Sequence, residues 1–417
     1  MTATLQLSGD PLEQLRATTL APCAGLYAEH LSDYGYAPST QREHLRCLVH
    51  FGRWISQCGL NAEDLDEEVV ARFLDEHLPH CQCPGPVVRT RAALRVALGH
   101  LLVVLRADAV IPERVSATTP VDEELCRFDV HMNQVRGLAA TTRRFRRPII
   151  RCFLLQQFGD ERVDLAAIQP ETVRRFIAEQ STHYSSPGGV AALIAALRGY
   201  FRFRTACGDH TQALSAVLIT PHSWRQASLP KALSSTEVQR LIDSLGWEGP
   251  SARRADAMVR LALDLGLRRA EIAGLALEDI DWRAGTIRLR RSKGGREDAL
   301  PLPETTGRAI ADYLRLERPP TTSRMVFVRR TALRGRPIGP DCVGKTIRQA
   351  YARAGLPYTR AHLLRHTMAS RLLASGSSLK EVAEVLRHRS LNTTLIYAKL
   401  DTRSLSAVAL PWPGDAK

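Results

Sequence analysis

The residues best suited to chemistry lie near the end of the chain, where His362, Arg365, His388 and Tyr397 follow one another. A tyrosine hydroxyl can act as a nucleophile, and the planar guanidinium of arginine can bind two phosphate oxygens at once. Histidine can transfer protons near neutral pH. Together these groups could attack a phosphodiester without a metal ion. The i, i+3 spacing of His362 and Arg365 further predicts that both side chains lie on one face of a helix.

Upstream, Arg268, Glu271 and Lys293 could complete such a site. Glu271 lies one helical turn after Arg268, so its carboxylate can orient the guanidinium toward an anionic oxygen. A surface Arg–Glu pair has the same spacing and is the alternative. Lys293 stands between a serine and two glycines at a predicted turn. Its ammonium could protonate a leaving oxygen there, or it could be an ordinary solvated turn residue.

His366 follows His362 by one helical turn, and we expect it to support the site by packing and hydrogen bonding. Metal binding by these two histidines is the competing interpretation. It is disfavoured because the glutamate of the His-Glu-x-x-His pattern is absent.

A domain of mixed helices and strands is predicted to position these residues. Ser234 and Glu237 have the spacing of a capping box, which predicts that a helix begins there. Two short β runs, at 286–289 and 299–302, flank a glycine-containing turn and predict a hairpin. Residues 325–328 are a candidate third strand, and the last strong helix is expected to carry the His-x-x-Arg pair. The fold expected for this part is α+β with a small antiparallel sheet.

The first half of the chain predicts helical bundles with a weak internal repeat. Thr40 and Phe51 have the same separation as Thr142 and Phe153, and apolar residues recur at i, i+3 and i+4 in both stretches. Each stretch predicts a small bundle of a common architecture, although amphipathic bundles also resemble one another by chance. The fold class is multidomain and mainly α. The predicted divisions are a helical unit at 1–112, a second helical unit at 120–222, a linker at 223–231, the mixed domain at 232–403 and a tail at 404–417.

The composition favours a nucleic-acid partner. The 417 residues carry a formal net charge of +14, with 24% charged and 44% hydrophobic residues, and an excess of positive charge suits a polyanion. A basic solvated surface is the alternative. Arginines in two segments are the candidate contacts to a DNA backbone, namely Arg143, Arg144, Arg146 and Arg147, followed by Arg288, Arg290 and Arg291.

The cysteines and the apolar segments predict where the protein acts. Nine cysteines without framework spacing indicate a reducing compartment. The first residues contain no basic segment followed by an apolar one, so no signal peptide is expected. The longest apolar stretch is too short to span a membrane. We therefore expect a cytoplasmic protein with a DNA partner and no membrane partner.

The order and surroundings of the motifs at about 232–403 resemble those of the tyrosine recombinase, or phage integrase, family. The resemblance implies that 120–222 form a SAM-like, helical core-binding domain. It further implies that 1–112 are an added DNA-binding or core-binding-like unit, as in transposon- or integrase-type members. It implies that Arg268 and Arg365 bind the scissile phosphate and that Tyr397 is the nucleophile. Lys293 is implied to protonate the leaving group, and His362 and His388 to transfer protons and form hydrogen bonds. Glu271 has the position of the supporting acidic residue.

Two positions depart from the family pattern. Arg387 stands where members usually carry glycine, and Ala270 stands where a small polar residue or glycine is frequent. Neither change removes a candidate catalytic group. They concern the fine geometry of the site.

The function expected is site-specific recombination through a 3′-phosphotyrosyl intermediate. Two guanidinium groups and an imidazole can stabilise the charge that develops on the phosphate oxygens without a metal. The phosphotyrosyl bond retains the energy of the diester, so rejoining needs a 5′-hydroxyl and no ATP. No cofactor is expected, since no Asp/Asp/Glu metal triad or Walker loop is present. The resemblance implies a homotetramer on two double-stranded DNA sites, with other recombinases or accessory proteins as further partners.

Two other functions use the same fold. A type IB topoisomerase-like enzyme would relax supercoils with the same tyrosine chemistry and without pairing two sites. A non-catalytic DNA-binding accessory protein would need none of the polar candidates, and the intact set speaks against it.

Two remaining features concern metal binding and assembly. His77, His80, Cys81 and Cys83 place four zinc-binding side chains close together, which is one pattern of a structural zinc clip. An ordinary loop between helices is favoured, because a clip normally joins distant segments. Apolar residues in the tail at 404–417 predict that it docks, either on a neighbouring protomer or on its own chain.

Overall fold

A computed structural model of the chain describes residues 10–84, 87–113, 119–159, 161–221, 231–289, 298–387 and 394–400. The candidates Lys293, His388, Arg290 and Arg291, and the tail at 404–417, lie outside the described residues. The chain divides into two compact units, one formed by 1–113 together with 228–417 and the other by 114–227. The finer domain boundaries expected from the sequence stay predictions.

The N-terminal part of the first unit is helical. Its helices are α1 (Pro11–Arg16), α2 (Ala24–Asp33), α3 (Pro38–Gln57), α4 (Glu67–Arg72) and α5 (Arg91–Ala107). Proline begins α1 and α3, where its fixed φ suits the helix and its missing N–H costs no hydrogen bond. Leu48, Phe51 and Ile55 recur along one face of α3 and are fully buried, as the helical periodicity predicts.

The second unit is a separate helical bundle with its own apolar core. Its helices are α6 (Pro120–Val130), α7 (Ala140–Phe158), α8 (Pro170–Ser181), α9 (Pro187–Ala206) and α10 (Gln212–Ala216). Thr119 caps α6, since its hydroxyl accepts the N–H of Asp122 at 3.1 Å. Phe153 from α7 and Phe201 from α9 are fully buried in the core. The helical bundle expected for this part of the chain is therefore present.

The C-terminal part of the first unit carries most of the candidate site residues. Its helices are α11 (Ser235–Asp243), α12 (Ala252–Asp264), α13 (Arg269–Ala273), α14 (Glu304–Leu316), α15 (Pro340–Arg353), α16 (His362–Ala374) and α17 (Leu379–Val385). The predicted capping box is formed, because the N–H of Ser234 donates to Glu237 Oε2 at 2.8 Å and the N–H of Glu237 donates to Ser234 Oγ at 3.2 Å. Helix α12 is central to the core, with Met258 and Leu261 fully buried.

A three-stranded antiparallel sheet adjoins these helices. Its strands are β1 (Ile280–Asp281), β2 (Thr286–Leu289) and β3 (Asp298–Pro301), in the order β1-β2-β3. Ile287 of β2 pairs with Ile280 on one side and with Leu300 on the other. The expected mainly α fold with a small antiparallel sheet is confirmed.

The expected third strand at 325–328 is wrong, since this segment makes only isolated bridges at Met325 and Val328. The side chain of Arg318 explains the difference. Its guanidinium donates to the carbonyl oxygens of Ser323, Met325 and Val326 at 2.7, 2.9 and 3.1 Å. These carbonyls are therefore satisfied by a side chain instead of by a neighbouring strand.

The two parts of the first unit are also joined by main-chain contact. The N–H of Ala332 donates to the carbonyl oxygen of Gly35 at 2.8 Å. Gly35 has a φ of +67°, which favours glycine at the end of α2. Among the described helices, none combines the length and the apolar character needed to cross a bilayer.

Candidate active site

Arg268 stands at the start of the helix that presents it. It is the N-cap of α13, with extended backbone angles of φ −74° and ψ 153°. The carboxylate of Glu271 accepts the backbone N–H of Arg268 at 2.8 Å and its Nη1 at 2.7 Å. One carboxylate therefore orients both the main chain and the guanidinium of Arg268. The Arg268 side chain remains 30% exposed, so it can contact an anion from solvent.

Arg387 is a site residue that the sequence alone did not identify. Its Nη2 donates to Glu271 Oε2 at 2.8 Å, and the side chains of Arg387 and Glu271 are only 3% and 6% exposed. Arg387 also has a φ of 53°, in the left-handed region that favours glycine. The available signal was the arginine at a position where the family usually has glycine. The backbone keeps the conformation that glycine allows, and the side chain supplies Glu271 with a second guanidinium.

Glu271 is an ionised group enclosed by these two arginines. Burial by itself raises the pKa of the carboxyl. The Arg387 guanidinium and the two donors of Arg268 outweigh burial and leave the pKa below its ordinary value. Glu271 is therefore a carboxylate at neutral pH, and the Arg268–Glu271 pair is a partly buried structural pair and not a solvated surface pair.

Arg365 lies in the first turn of α16 and is 5% exposed. Its Nη1 donates to the carbonyl oxygen of Gly266, and its Nη2 donates to that of Leu386. Gly266 has a φ of +60°, and a Cβ added there would lie 3.1 Å from the Leu386 side chain. Glycine therefore permits the close approach of this backbone to Leu386. Burial, assisted by the charges of two neighbouring arginines, lowers the pKa of Arg365 to about 9. The guanidinium remains cationic at neutral pH.

Tyr397 is buried and hydrogen-bonded to the helix that carries Arg365. It lies in the 3-10 segment Leu395–Leu400 and is 1% exposed. Its hydroxyl lies 2.6 Å from Nδ1 of His366, and Met368 and Leu386 belong to the same apolar cluster. Burial raises the pKa of Tyr397 to about 12, and the charge of Arg365 opposes this rise. The hydroxyl is therefore protonated at neutral pH and donates to the imidazole.

The two histidines of α16 are held neutral. Burial, followed by the charges of nearby arginines, lowers the pKa of His362. Burial, His362 and Arg365 lower the pKa of His366 in the same way. Neutral imidazoles can accept protons. The residues brought together are thus Arg268, His362, Arg365, His366 and Tyr397, with Glu271 and Arg387 behind them.

The candidate DNA-contacting arginines of α7 differ in their surroundings. Arg144 and Arg147 are exposed. Arg143 donates from Nη1 to Asp129 Oδ2 at 2.6 Å, which neutralises part of its charge. Arg146 is half-buried, and burial together with a neighbouring arginine lowers its pKa. Arg144 and Arg147 are therefore the members of this segment best placed to reach a phosphate from solvent.

The remaining predicted residues lie elsewhere in the first unit. Arg288 is exposed on β2. Of the four candidate zinc ligands, His77, Cys81 and Cys83 lie together, whereas His80 is exposed and outside their group. The fourth member of the group is a buried histidine of α3 that the sequence pattern did not indicate.

Comparison with known proteins identifies the family of the chain. The model of the phage integrase family matches residues 231–403. The chain is 35% identical over 397 residues to the putative integrase/recombinase y4rA of Sinorhizobium fredii, covering 94% of both chains. It is 35% identical over 246 residues to the tyrosine recombinase XerC of Azotobacter vinelandii, covering 58% of this chain and 80% of XerC.

A solved structure supports the fold. A lambda integrase tetramer bound to a Holliday junction matches with a TM-score of 0.51 and 17% identity, covering 76% of this chain and 90% of the integrase chain. At this identity the likeness concerns the fold alone. The sequence relationship to y4rA extends along nearly the whole length of both proteins, and the family model matches the part of the chain that carries the arginine, histidine and tyrosine cluster. The chain therefore belongs to the phage integrase family of tyrosine recombinases.

Proposed function

We propose that this recombinase cuts and rejoins double-stranded DNA through a 3′-phosphotyrosyl intermediate formed on Tyr397, without a metal ion or ATP. The observation that carries the proposal is the hydrogen bond of 2.6 Å between the Tyr397 hydroxyl and His366, in the same cluster as the guanidinium of Arg365. A lone buried tyrosine would more simply be a core residue. A buried tyrosine hydroxyl next to neutral imidazoles and a cationic guanidinium has the surroundings of an activated nucleophile.

The reaction divides its tasks among the described groups. The Tyr397 oxygen forms a bond to the scissile phosphorus while the bond from phosphorus to the 5′-oxygen breaks. Arg268 and Arg365 bind the non-bridging oxygens, where negative charge develops. His362 and His366 are neutral and are the described groups able to accept the phenol proton.

The two remaining roles belong to Lys293 and His388, which lie outside the described residues. We assign protonation of the leaving 5′-oxygen to Lys293 and a hydrogen bond to the phosphate to His388. Rejoining reverses the first step, because a 5′-hydroxyl attacks the phosphotyrosyl bond and releases Tyr397. The diester energy is retained in that bond, so no external energy source is needed.

The described arrangement is a resting state. Tyr397 is 1% exposed and Arg365 is 5% exposed, whereas in-line attack requires a nucleophile within about 3–3.5 Å of phosphorus. Because both groups are buried, a phosphate can approach them so closely only after a local rearrangement. DNA binding is the step that can supply this rearrangement, since the phosphate replaces the backbone carbonyls now bonded to Arg365. Attack by Tyr397 is thereby coupled to a rearrangement that DNA binding induces.

The partners follow from the reaction and from the family. The substrate is double-stranded DNA, contacted through exposed arginines such as Arg144, Arg147 and Arg288. The working form is a homotetramer on two DNA sites, and other recombinases or accessory proteins are further partners. A lambda integrase of the same fold is a tetramer on a Holliday junction. The nine cysteines lack the spacing of a disulfide framework, which supports action in the reducing cytoplasm.

A nicked suicide substrate tests the nucleophile. The duplex is first selected from a randomised library by binding to the protein, and a nick near the cleavage position lets the 5′-hydroxyl fragment diffuse away. The wild-type protein is expected to accumulate a covalent protein–DNA adduct on a denaturing gel. Tyr397→Phe should bind the duplex with unchanged affinity and form no adduct.

Tyr351→Phe is the matched control. Tyr351 is also fully buried in the first unit, and its hydroxyl has no hydrogen-bond partner, so this variant loses the same atom without affecting the site. Its adduct yield should equal that of the wild type. Adduct formation by Tyr397→Phe would assign the nucleophile to another residue. Strand exchange between two differently labelled duplexes then separates recombination from topoisomerase-like relaxation.

A further inference from the structure

A second cluster of reactive side chains lies in the N-terminal helices, among residues that the recombination chemistry does not use. His50 of α3 lies beside His77, Cys81 and Cys83, and their potential ligand atoms are all within 4.8 Å of one another. Nε2 of His50 is 3.2 Å from Sγ of Cys81, and Nε2 of His77 is 3.4 Å from Sγ of Cys83. Two imidazole nitrogens and two thiol sulfurs thus converge on one point.

These separations approach the geometry of a tetrahedral zinc site. Zinc binds cysteine sulfur at about 2.3 Å and histidine nitrogen at about 2.0–2.1 Å, so neighbouring ligand atoms lie about 3.4–3.8 Å apart. The two nitrogen–sulfur contacts of 3.2 and 3.4 Å are already close to this range. The widest pair, at up to 4.8 Å, needs a contraction of about 1 Å, which a short loop can provide.

The orientation of His50 is a second observation in favour of a ligand role. Its Nδ1 lies 2.8 Å from the carbonyl oxygen of Val88, so Nδ1 carries the proton and donates. Nε2 is then left with its lone pair directed at the cluster. Metal-binding histidines usually donate their other nitrogen to a carbonyl or carboxylate in this way. His50 is fully buried, so without a metal its lone pair is left to the Cys81 thiol at 3.2 Å and not to bulk water.

The neighbouring residues hold the second histidine in place. His77 ends the π-helical turn Phe73–His77, and such turns are frequent at functional sites because they redirect a side chain. Its ring stacks on that of Phe73 with centroids 5.2 Å apart, and the ring of Trp54 lies 5.7 Å away. Phe73 also packs edge-on against His50 at 5.1 Å. Aromatic rings therefore pack against both imidazoles, while His77, Cys81 and Cys83 stay half-buried.

The cluster also joins segments that are distant in the sequence. His50 lies in the middle of α3, whereas the other three residues follow α4. A metal bound there would therefore tie the short segment 77–83 to a core helix. An uncharged Cys₂His₂ site results, because two thiolates balance the charge of Zn²⁺.

We propose that His50, His77, Cys81 and Cys83 bind a structural zinc ion that fastens the loop after α4 to α3. The ion closes the tetrahedron with four protein ligands and leaves no open position, so its role is to stabilise the N-terminal helices and not to take part in DNA cleavage. Binding energy at such a site contributes directly to folding. His80 is excluded from the ligand set, although it is next to Cys81, because it is exposed and outside the cluster.

The metal content of the full-length protein tests the proposal. Protein produced in zinc-supplemented medium should contain about one zinc ion per chain, and X-ray absorption at the zinc edge should give two sulfur and two nitrogen neighbours. The Cys81→Ser/Cys83→Ser double variant should lose the zinc. His80→Gln is the matched control, since it removes a neighbouring imidazole, and it should retain about one zinc ion per chain.

Cobalt replacement gives a readout that does not depend on a stable variant. Adding Co²⁺ to the chelator-treated wild-type protein should produce the intense visible bands of tetrahedral cobalt and a thiolate charge-transfer band, both abolished by excess Zn²⁺. Chelation should also lower the unfolding temperature by several degrees. Absence of zinc together with absence of the cobalt bands would overturn the proposal. Full zinc content in the double cysteine variant, or loss of zinc in His80→Gln, would overturn the assigned ligands.

Discussion

Replacing Glu271 by glutamine removes one charge from the centre of the candidate active site and changes little else. The carboxylate accepts three N–H groups, from the Arg268 main chain, the Arg268 guanidinium and the Arg387 guanidinium, at 2.7–2.8 Å. Glutamine offers one oxygen in place of two, so its amide NH₂ must face at least one of these donors. Breaking a buried ion pair costs about 3–5 kcal/mol. Because glutamine keeps part of the hydrogen bonding, we expect Glu271→Gln to lower the free energy of unfolding by about 3 kcal/mol.

The pH dependence of this loss identifies its cause. The pKa of Glu271 is lowered in the folded protein, so its contribution to stability is fully present above the unfolded-state pKa of about 4.3. It is lost as the pH falls through the lower folded-state pKa. Glutamine does not titrate. The difference in unfolding free energy between wild type and variant should therefore be largest near pH 7 and should shrink below about pH 4. Urea denaturation at a series of pH values measures it.

Cleavage should respond as well, since Glu271 orients Arg268. A displacement of a positioning group by about 1 Å can reduce the rate about 10²-fold, and we expect that loss in single-turnover adduct formation. Glu304→Gln is the matched control, because Glu304 pairs with Arg308 at 2.6 Å while 82% exposed. It should cost less than about 0.5 kcal/mol and leave cleavage unchanged. Equal stability losses in the two variants, or a loss at Glu271 that does not depend on pH, would refute the role of the buried charge.

Four further substitutions test other arginines of the chain. Arg365→Lys should slow adduct formation by about 10²–10³-fold, because an ammonium lacks the planar fork that reaches two acceptors; a wild-type rate in the suicide-substrate assay would contradict the assignment. Arg144→Gln and Arg147→Gln should each reduce the slope of log binding constant against log salt concentration by about 1. Arg143→Gln should change the slope less, since Asp129 at 2.6 Å already pairs with Arg143. Fluorescence anisotropy over a salt series measures the slopes, and three equal effects would refute this ranking.

Features set by local chemistry could be predicted from the sequence. The capping box of Ser234 and Glu237 was expected from spacing alone and is formed, because its hydrogen bonds join groups three residues apart. The hairpin strands were expected at nearly the observed positions. The strand predicted at 325–328 does not form. Arg318 binds carbonyl oxygens in and next to that segment. No local sequence pattern predicts that an arginine side chain will bind the carbonyl oxygens of a segment in place of a neighbouring strand.

In the candidate site as well, local features could be predicted from the sequence and contacts between distant residues could not. The order and type of Arg268, His362, Arg365 and Tyr397 were sufficient to propose the chemistry, since those residue types are the ones that phosphodiester attack requires. The burial of Tyr397 and its bond to His366 could not be predicted. They depend on where the last described segment packs against α16, which is decided by the apolar surfaces of both.

The sequence by itself determined the helices and the two hairpin strands, because both follow from the spacing of neighbouring residues. The candidate catalytic residues were chosen by their chemistry and order. The sequence also named His77, Cys81 and Cys83, together with His80, as a possible zinc clip, although an ordinary loop was favoured there. Only the tertiary structure decided that Arg387 shares a carboxylate with Arg268, and that His50 joins His77, Cys81 and Cys83. The physical reason is that these groups are far apart in the chain. Their meeting is set by the burial of apolar faces on different helices, and the spacing of residues within a helix carries no record of its distant partners.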